Sequence, residues 1–189
     1  KAMPSFAIKI KNGNLSLPDE PLATHLTNDD FWQRTAQLKA SIVCIDGPCD
    51  TNGPRVLDDF SGWAECITHS QRDAELDLFR QGVRLYWTTK NTVEKFEGAS
   101  RWIARSIQLF SESPRIQKIE THPHGVFTFL WRAFGQEGGP PPKSMPAGQN
   151  SRLAILQKFF PDLTREMVPN HDAMDAAAAA LVAALHRLN

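Results

Sequence analysis

The sequence predicts an α/β domain with a mainly parallel central part. Three observations carry this. SIVCID (41–46) is a short, continuous apolar run closing on an acid, the pattern of a strand covered on both faces. RIQKIE (115–120) reads as another short strand that closes on an acid. Helical periodicities alternate with such runs along the chain, as crossover connections between parallel strands require.

The elements follow in order. SFAIKI (5–10) alternates apolar and polar residues and reads as a strand. Asn12-Gly13 is a favoured hairpin turn, after which residues 15–17 pair back. Asn28 caps a helix running to Lys39, with Phe31, Trp32, Thr35 and Leu38 on one side. The 41–46 strand comes next, then an irregular stretch over 49–64 rich in Gly, Pro and Asp. Ser70 and Asp73 form a capping-box-like start to a helix that ends at Gly82. Residues 83–88 form a strand, and 94–110 a helix with Phe96, Ala99, Ile103, Ile107 and Phe110 at 3–4 spacing. After the 115–120 strand, Thr121 caps a helix through Phe134. Residues 136–149 are a Gly/Pro loop that reads as a mobile segment, Asn150 opens a helix to Phe160, and the last helix spans 172–188.

Composition bounds the function. At 189 residues and 41% hydrophobic, the chain suits one domain with a real core. Lys plus Arg and Asp plus Glu are 21 each, so net charge is zero and any grip on nucleic acid must come from a local patch. Three cysteines (Cys44, Cys49 and Cys66) without a CxxC pair suggest neither a disulfide framework nor a zinc site. Cys44, in an apolar run, reads as a small core residue. A cytoplasmic setting is the simplest expectation, and no apolar stretch reaches the ~18 residues of a membrane span.

The acids are the informative feature. Asp46 and Glu120 close two strands, and in a parallel sheet those ends share the edge where ligands bind. The final helix opens HDAMDA, with Asp172 and Asp175 three residues apart and therefore neighbours on the helix surface. Met174, Ala178, Leu181, Leu185 and Leu188 form its apolar stripe, with Asp175 at the stripe's edge. Asp172 as N-cap and Asp175 in the first turn also satisfy capping and the helix dipole. Two carboxylates ~4 Å apart repel by about 4 kcal/mol at an effective dielectric near 20. A cluster of Asp46, Asp172 and Asp175 therefore calls for a cation, and oxygen ligands suit Mg²⁺ or Mn²⁺. Two such ions are the usual device for phosphodiester hydrolysis.

CIDGP (44–48), IETHP (119–123), KSMPAGQNSRLAIL (143–156) and HDAMDAAAAALVAAL (171–185) follow in that order. Together they resemble an uncharacterised family of predicted nucleases with a ribonuclease H-like fold, known as domain of unknown function 429. HSQRDAELDLFRQGVR (69–84) is similar to a further segment, more loosely. The resemblance runs from about residue 5 to 188. It implies a single ribonuclease H-like domain over 1–189, with a mixed central sheet flanked by helices. It implies a metal-dependent nuclease whose catalytic acids are Asp46, Glu120, Asp172 and Asp175, with Asp46, Asp172 and Asp175 as the ligands of Mg²⁺ or Mn²⁺. Lys143 and Arg152 are the implied substrate-binding residues, and nucleic acid the implied partner. Folds of this kind begin with a strand carrying a metal-binding aspartate. Here SFAIKI corresponds to the second strand, so the first lies before Lys1 or is missing. The alternative is a non-catalytic interaction or scaffold domain on the same fold, which zero net charge and the missing first-strand aspartate favour.

Other residues carry weaker expectations. His122 and His124 straddle Pro123 and do not make the i,i+4 pair of a zinc helix, so a surface or capping role is expected. His171, beside Asp172, is placed to tune or transfer protons. Tyr86, Trp87 and Trp102 lie among the bases of 84–105, which suits either nucleic-acid stacking or a solvated helix face over core aromatics. Gly138-Gly139 lacks the strand-loop-helix setting of a phosphate loop, and neither Ser144 nor Ser151 sits in a nucleophile motif.

Overall fold

The structure, a computed structural model, describes residues 4–18, 26–49, 73–84, 101–112 and 115–189. In chain order its elements are β1 (Lys9–Lys11), β2 (Asn14–Ser16), α1 (Asn28–Gln37), β3 (Ile42–Asp46), α2 (Asp73–Arg80), α3 (Arg101–Ser111), β4 (Gln117–Thr121), α4 (Pro123–Ala133), α5 (Pro146–Gln157) and α6 (His171–Leu188). Helices and strands are mixed, as expected of an α/β chain. The chain divides into two compact units, one of residues 1–46 with 113–189 and one of residues 47–112.

In the first unit, β3 and β4 pair in parallel, from Ile42 opposite Gln117 to Asp46 opposite Thr121. The hairpin β1–β2 is antiparallel and turns at Asn12 and Gly13, whose φ angles of 51° and 79° are those a tight two-residue hairpin turn needs. Among the described residues the two strand pairs form separate two-stranded sheets. β1 and β2 pair only three residues each and lie largely exposed, so they make their own short ladder. The expected strand over 5–10 shrinks accordingly, while Phe6 and Ile8 pack against the core.

The core gathers around α6. Phe127, Leu156, Leu163, Val168, Met174 and Leu181 are at most 1% exposed, and each such side chain contributes about 1.5–3 kcal/mol. α6 lies along β3 and also touches β4, α4 and α5. Its alanines explain this centrality: a methyl side chain lets several neighbours approach closely, and Ala173, Ala177, Ala178, Ala179, Ala183 and Ala184 are all buried. The burial is therefore wider than one stripe, and Asp175 falls inside it rather than at an edge. Leu185 and Leu188, expected in the stripe, are exposed at the helix end.

Local boundaries differ from the sequence reading for identifiable reasons. Thr27, not Asn28, caps α1, through a capping box with Asp30. β4 runs one residue further than expected, so Thr121 ends the strand and His122 occupies the N-cap position of α4. α5 starts at Pro146, a residue pre-set for the first helical position, so Asn150 lies inside the helix.

In the second unit, α2 ends where Gly82 N–H bonds to the Phe79 carbonyl at 2.8 Å. Ser70, most of the expected 83–88 strand and the 94–100 portion of the expected helix lie outside the described residues. Among the described residues no helix is long and apolar enough to cross a membrane.

Candidate functional site

β3 carries Asp46 to the carboxyl end of the parallel pair, in register with Thr121. Glu120 is in register with Ile45. Side chains alternate along a strand, so Glu120 points to the face opposite Asp46. The one-residue extension of β4 thus separates two acids that the sequence places together.

α6 brings the other acids. Its cap is Asn170, whose side chain accepts from the Ala173 N–H at 2.9 Å. Neither aspartate performs that task. Asp172 is exposed in the first turn, 3.6 Å from the His171 ring. Asp175 is buried, its side chain 7% exposed. Its Oδ2 accepts from Lys143 Nζ at 2.6 Å, while its buried Oδ1 has no hydrogen-bond partner among the described residues. A half-satisfied buried carboxylate costs stability, which helix capping does not explain.

The Gly/Pro segment that delivers Lys143 is held in place, contrary to the mobile loop expected. Trp131 Nε1 donates to the Glu137 carbonyl at 3.0 Å and Arg132 Nε to the Gly138 carbonyl at 2.8 Å. Arg152 Nη1 donates to the Pro141 carbonyl at 2.8 Å and to the Gly148 carbonyl at 3.0 Å. Gly148 lies so close to the segment that a Cβ there would stand 2.0 Å from the Pro142 oxygen. Glycine is required at this point of KSMPAGQNSR by backbone contact.

Arg152 is 1% exposed, with its guanidinium over the Phe127 ring at 5.2 Å. An incoming phosphate does not reach it, so its role is to fix residues 141–148 and to set a cation near Asp175. Burial lowers its pKa, and the Asp175 carboxylate opposes that. Lys143, 45% exposed at the side chain, remains open to solvent.

The electrostatics tie these groups together. Burial, then the Asp175 carboxylate, pushes the Asp46 carboxyl up to about 7, with Asp172 adding and Lys143 opposing. Asp46 is nevertheless exposed by surface area. Solvent access makes this desolvation partial and screens the neighbouring carboxylates as well. His124 is half-buried, and burial together with His122, Arg152 and Lys143 lowers its pKa against the pull of Asp175. Its imidazole is therefore neutral at pH 7. Burial raises the Cys44 thiol to about 12, partly offset by a hydrogen bond with Thr121, so it is unreactive.

Asp46, Asp172, Asp175 and Lys143 form one interacting group, and the buried Arg152 acts on Asp175. Among the described residues no three His, Cys, Asp or Glu side chains are spaced to hold a metal ion together. His124, expected in a surface or capping role, is half-buried and within electrostatic reach of Asp175 and Lys143. Trp102 is 45% exposed, while Tyr86 and Trp87 lie outside the described residues.

Fold and site define an α/β protein with a carboxylate–lysine cluster at the end of a parallel strand pair. The chain belongs to the family described as "Protein of unknown function (DUF429)", which matches residues 88–188. That stretch holds Glu120, Lys143, Arg152, Asp172 and Asp175; Asp46 precedes it. No curated protein and no solved structure shows a significant match to the chain.

Proposed function

We propose that this protein is a Mg²⁺- or Mn²⁺-dependent nuclease built on a ribonuclease H-like fold, with β3, β4 and α6 as the framework of its site. The observation that carries the reading is the buried Asp175 carboxylate, with one oxygen lacking a partner among the described residues, within electrostatic reach of Asp46. The donors are hard oxygens, which suit these ions. Asp46 and Asp175 would hold the ion as a two-carboxylate site, with Asp172 adding negative charge from the exposed side rather than a third ligand. When bound, such an ion neutralises the carboxylates and supplies Lewis acidity toward a phosphodiester. Lys143 offers the accessible ammonium for a phosphate oxygen. Neutral His124 is able to accept a proton. Glu120, on the other face, is not assigned a role in this site. Nucleic acid is the partner this chemistry implies.

The test is calorimetry with Mn²⁺ on wild type and Asp175→Asn, alongside cleavage of DNA, RNA and junction substrates. Wild type is expected to bind and cleave, and the variant to do neither. Wild-type protein that binds Mn²⁺ without cleaving any of the three would sink the nuclease reading. A second reading, a non-catalytic scaffold, is favoured by Lys143, which already neutralises Asp175. It predicts no Mn²⁺ binding.

A further inference from the structure

Lys143 reaches Asp175 along a flexible four-carbon arm, yet its backbone is held from two sides. Gln149, in the first turn of α5, donates from Nε2 to the Lys143 carbonyl at 3.2 Å. The Gln149 Oε1 in turn accepts from Arg165 Nη2, and Arg165 belongs to the connection between α5 and α6. On the near side, the Met145 N–H donates to the Pro142 carbonyl at 3.0 Å. Three polar contacts thus run in series from the α5–α6 connection to the buried carboxylate: Arg165 to Gln149, Gln149 to the Lys143 backbone, and Lys143 Nζ to Asp175.

We propose that Gln149, oriented by Arg165, is a positioning residue that holds the Lys143 ammonium on Asp175. The device sets whether the site presents a cation or an open carboxylate to an incoming ligand. Gln149 suits this task because its amide has a donor and an acceptor on opposite sides. One faces the Lys143 carbonyl and the other the Arg165 guanidinium. This inference rests on reading Lys143 and Asp175 as the site, but its test needs no turnover.

The test is trace labelling of lysine amines with acetic anhydride on the full chain, read by peptide mass spectrometry, with Lys158 as the internal reference. Gln149→Met removes both polar contacts. Gln149→Glu keeps the acceptor for Arg165 but loses the donor to Lys143. Both variants are expected to raise Lys143 labelling about fivefold, the factor corresponding to one ordinary hydrogen bond. Gln149→Glu is expected to retain the wild-type melting temperature. A merely structural glutamine would leave labelling in the folded Gln149→Glu protein at the wild-type level, and that result would overturn the proposal. Failure of the nuclease reading is seen separately, as absent cleavage by wild type, and does not change the labelling outcome.

Discussion

Replacing Asp46 with Asn should stabilise the protein, and only above acidic pH. The folded environment moves this carboxyl from 3.8 to about 7. Between those values the native state keeps a proton that the unfolded chain releases. The native state binds more protons there, so wild-type stability falls as pH rises from about 4 to 7 and levels off above. Each tenfold change in proton affinity corresponds to about 1.4 kcal/mol, so a closed site would lose about 4 kcal/mol across this window. Asp46 is exposed, and solvent screening reduces the figure to about 1–2 kcal/mol. Asn carries no proton to release and places no charge beside Asp175 and Asp172. The difference between Asp46→Asn and wild type should therefore be small near pH 4 and reach about 1–2 kcal/mol at pH 8. Urea unfolding at several pH values measures it, with an unchanged m-value confirming that the same surface is exposed. A variant less stable than wild type at pH 8, or a difference that does not grow with pH, would refute the carboxylate cluster as described.

Three other outcomes follow from the same geometry. Gly148→Ala drives a Cβ to 2.0 Å from the Pro142 oxygen and should cost about 1–3 kcal/mol in urea unfolding, with Lys143 labelling increased as its segment is displaced. Arg152→Met removes the donors to the Pro141 and Gly148 carbonyls and a cation near Asp175. It should cost about 2–4 kcal/mol, and Arg152→Lys, lacking the planar fork, should not restore thermal stability. Asn170→Ala should cost about 1 kcal/mol as a lost cap while leaving Mn²⁺ affinity unchanged, whereas Asp172→Ala should change stability by about 0.5 kcal/mol and weaken Mn²⁺ binding in calorimetry.

By itself the sequence determined that 41–46 is a strand ending on Asp46 beside a parallel partner, that Asn12-Gly13 turns a hairpin, and that an alanine-rich helix begins near Asp172 with Met174, Ala178 and Leu181 on its apolar face. These are local matters of apolar pattern and turn chemistry, with periods the chain itself carries. The acids at the site were legible as residue types for the same reason. Their partners were not. A strand end cannot be read to within one residue, and one residue reverses the face. β4 continues to Thr121, so Thr121 rather than Glu120 stands opposite Asp46. The cap of α6 moved to Asn170, which freed Asp172 and Asp175 from the explanation that local sequence favours. Only the tertiary structure decided that Arg152 is buried and Lys143 accessible. The two differ in their distance from the α4–α5–α6 core, and no pattern in KSMPAGQNSR encodes that distance. It also decided that the Gly/Pro segment is held, because its carbonyls bond to Trp131, Arg132 and Arg152 from other parts of the chain.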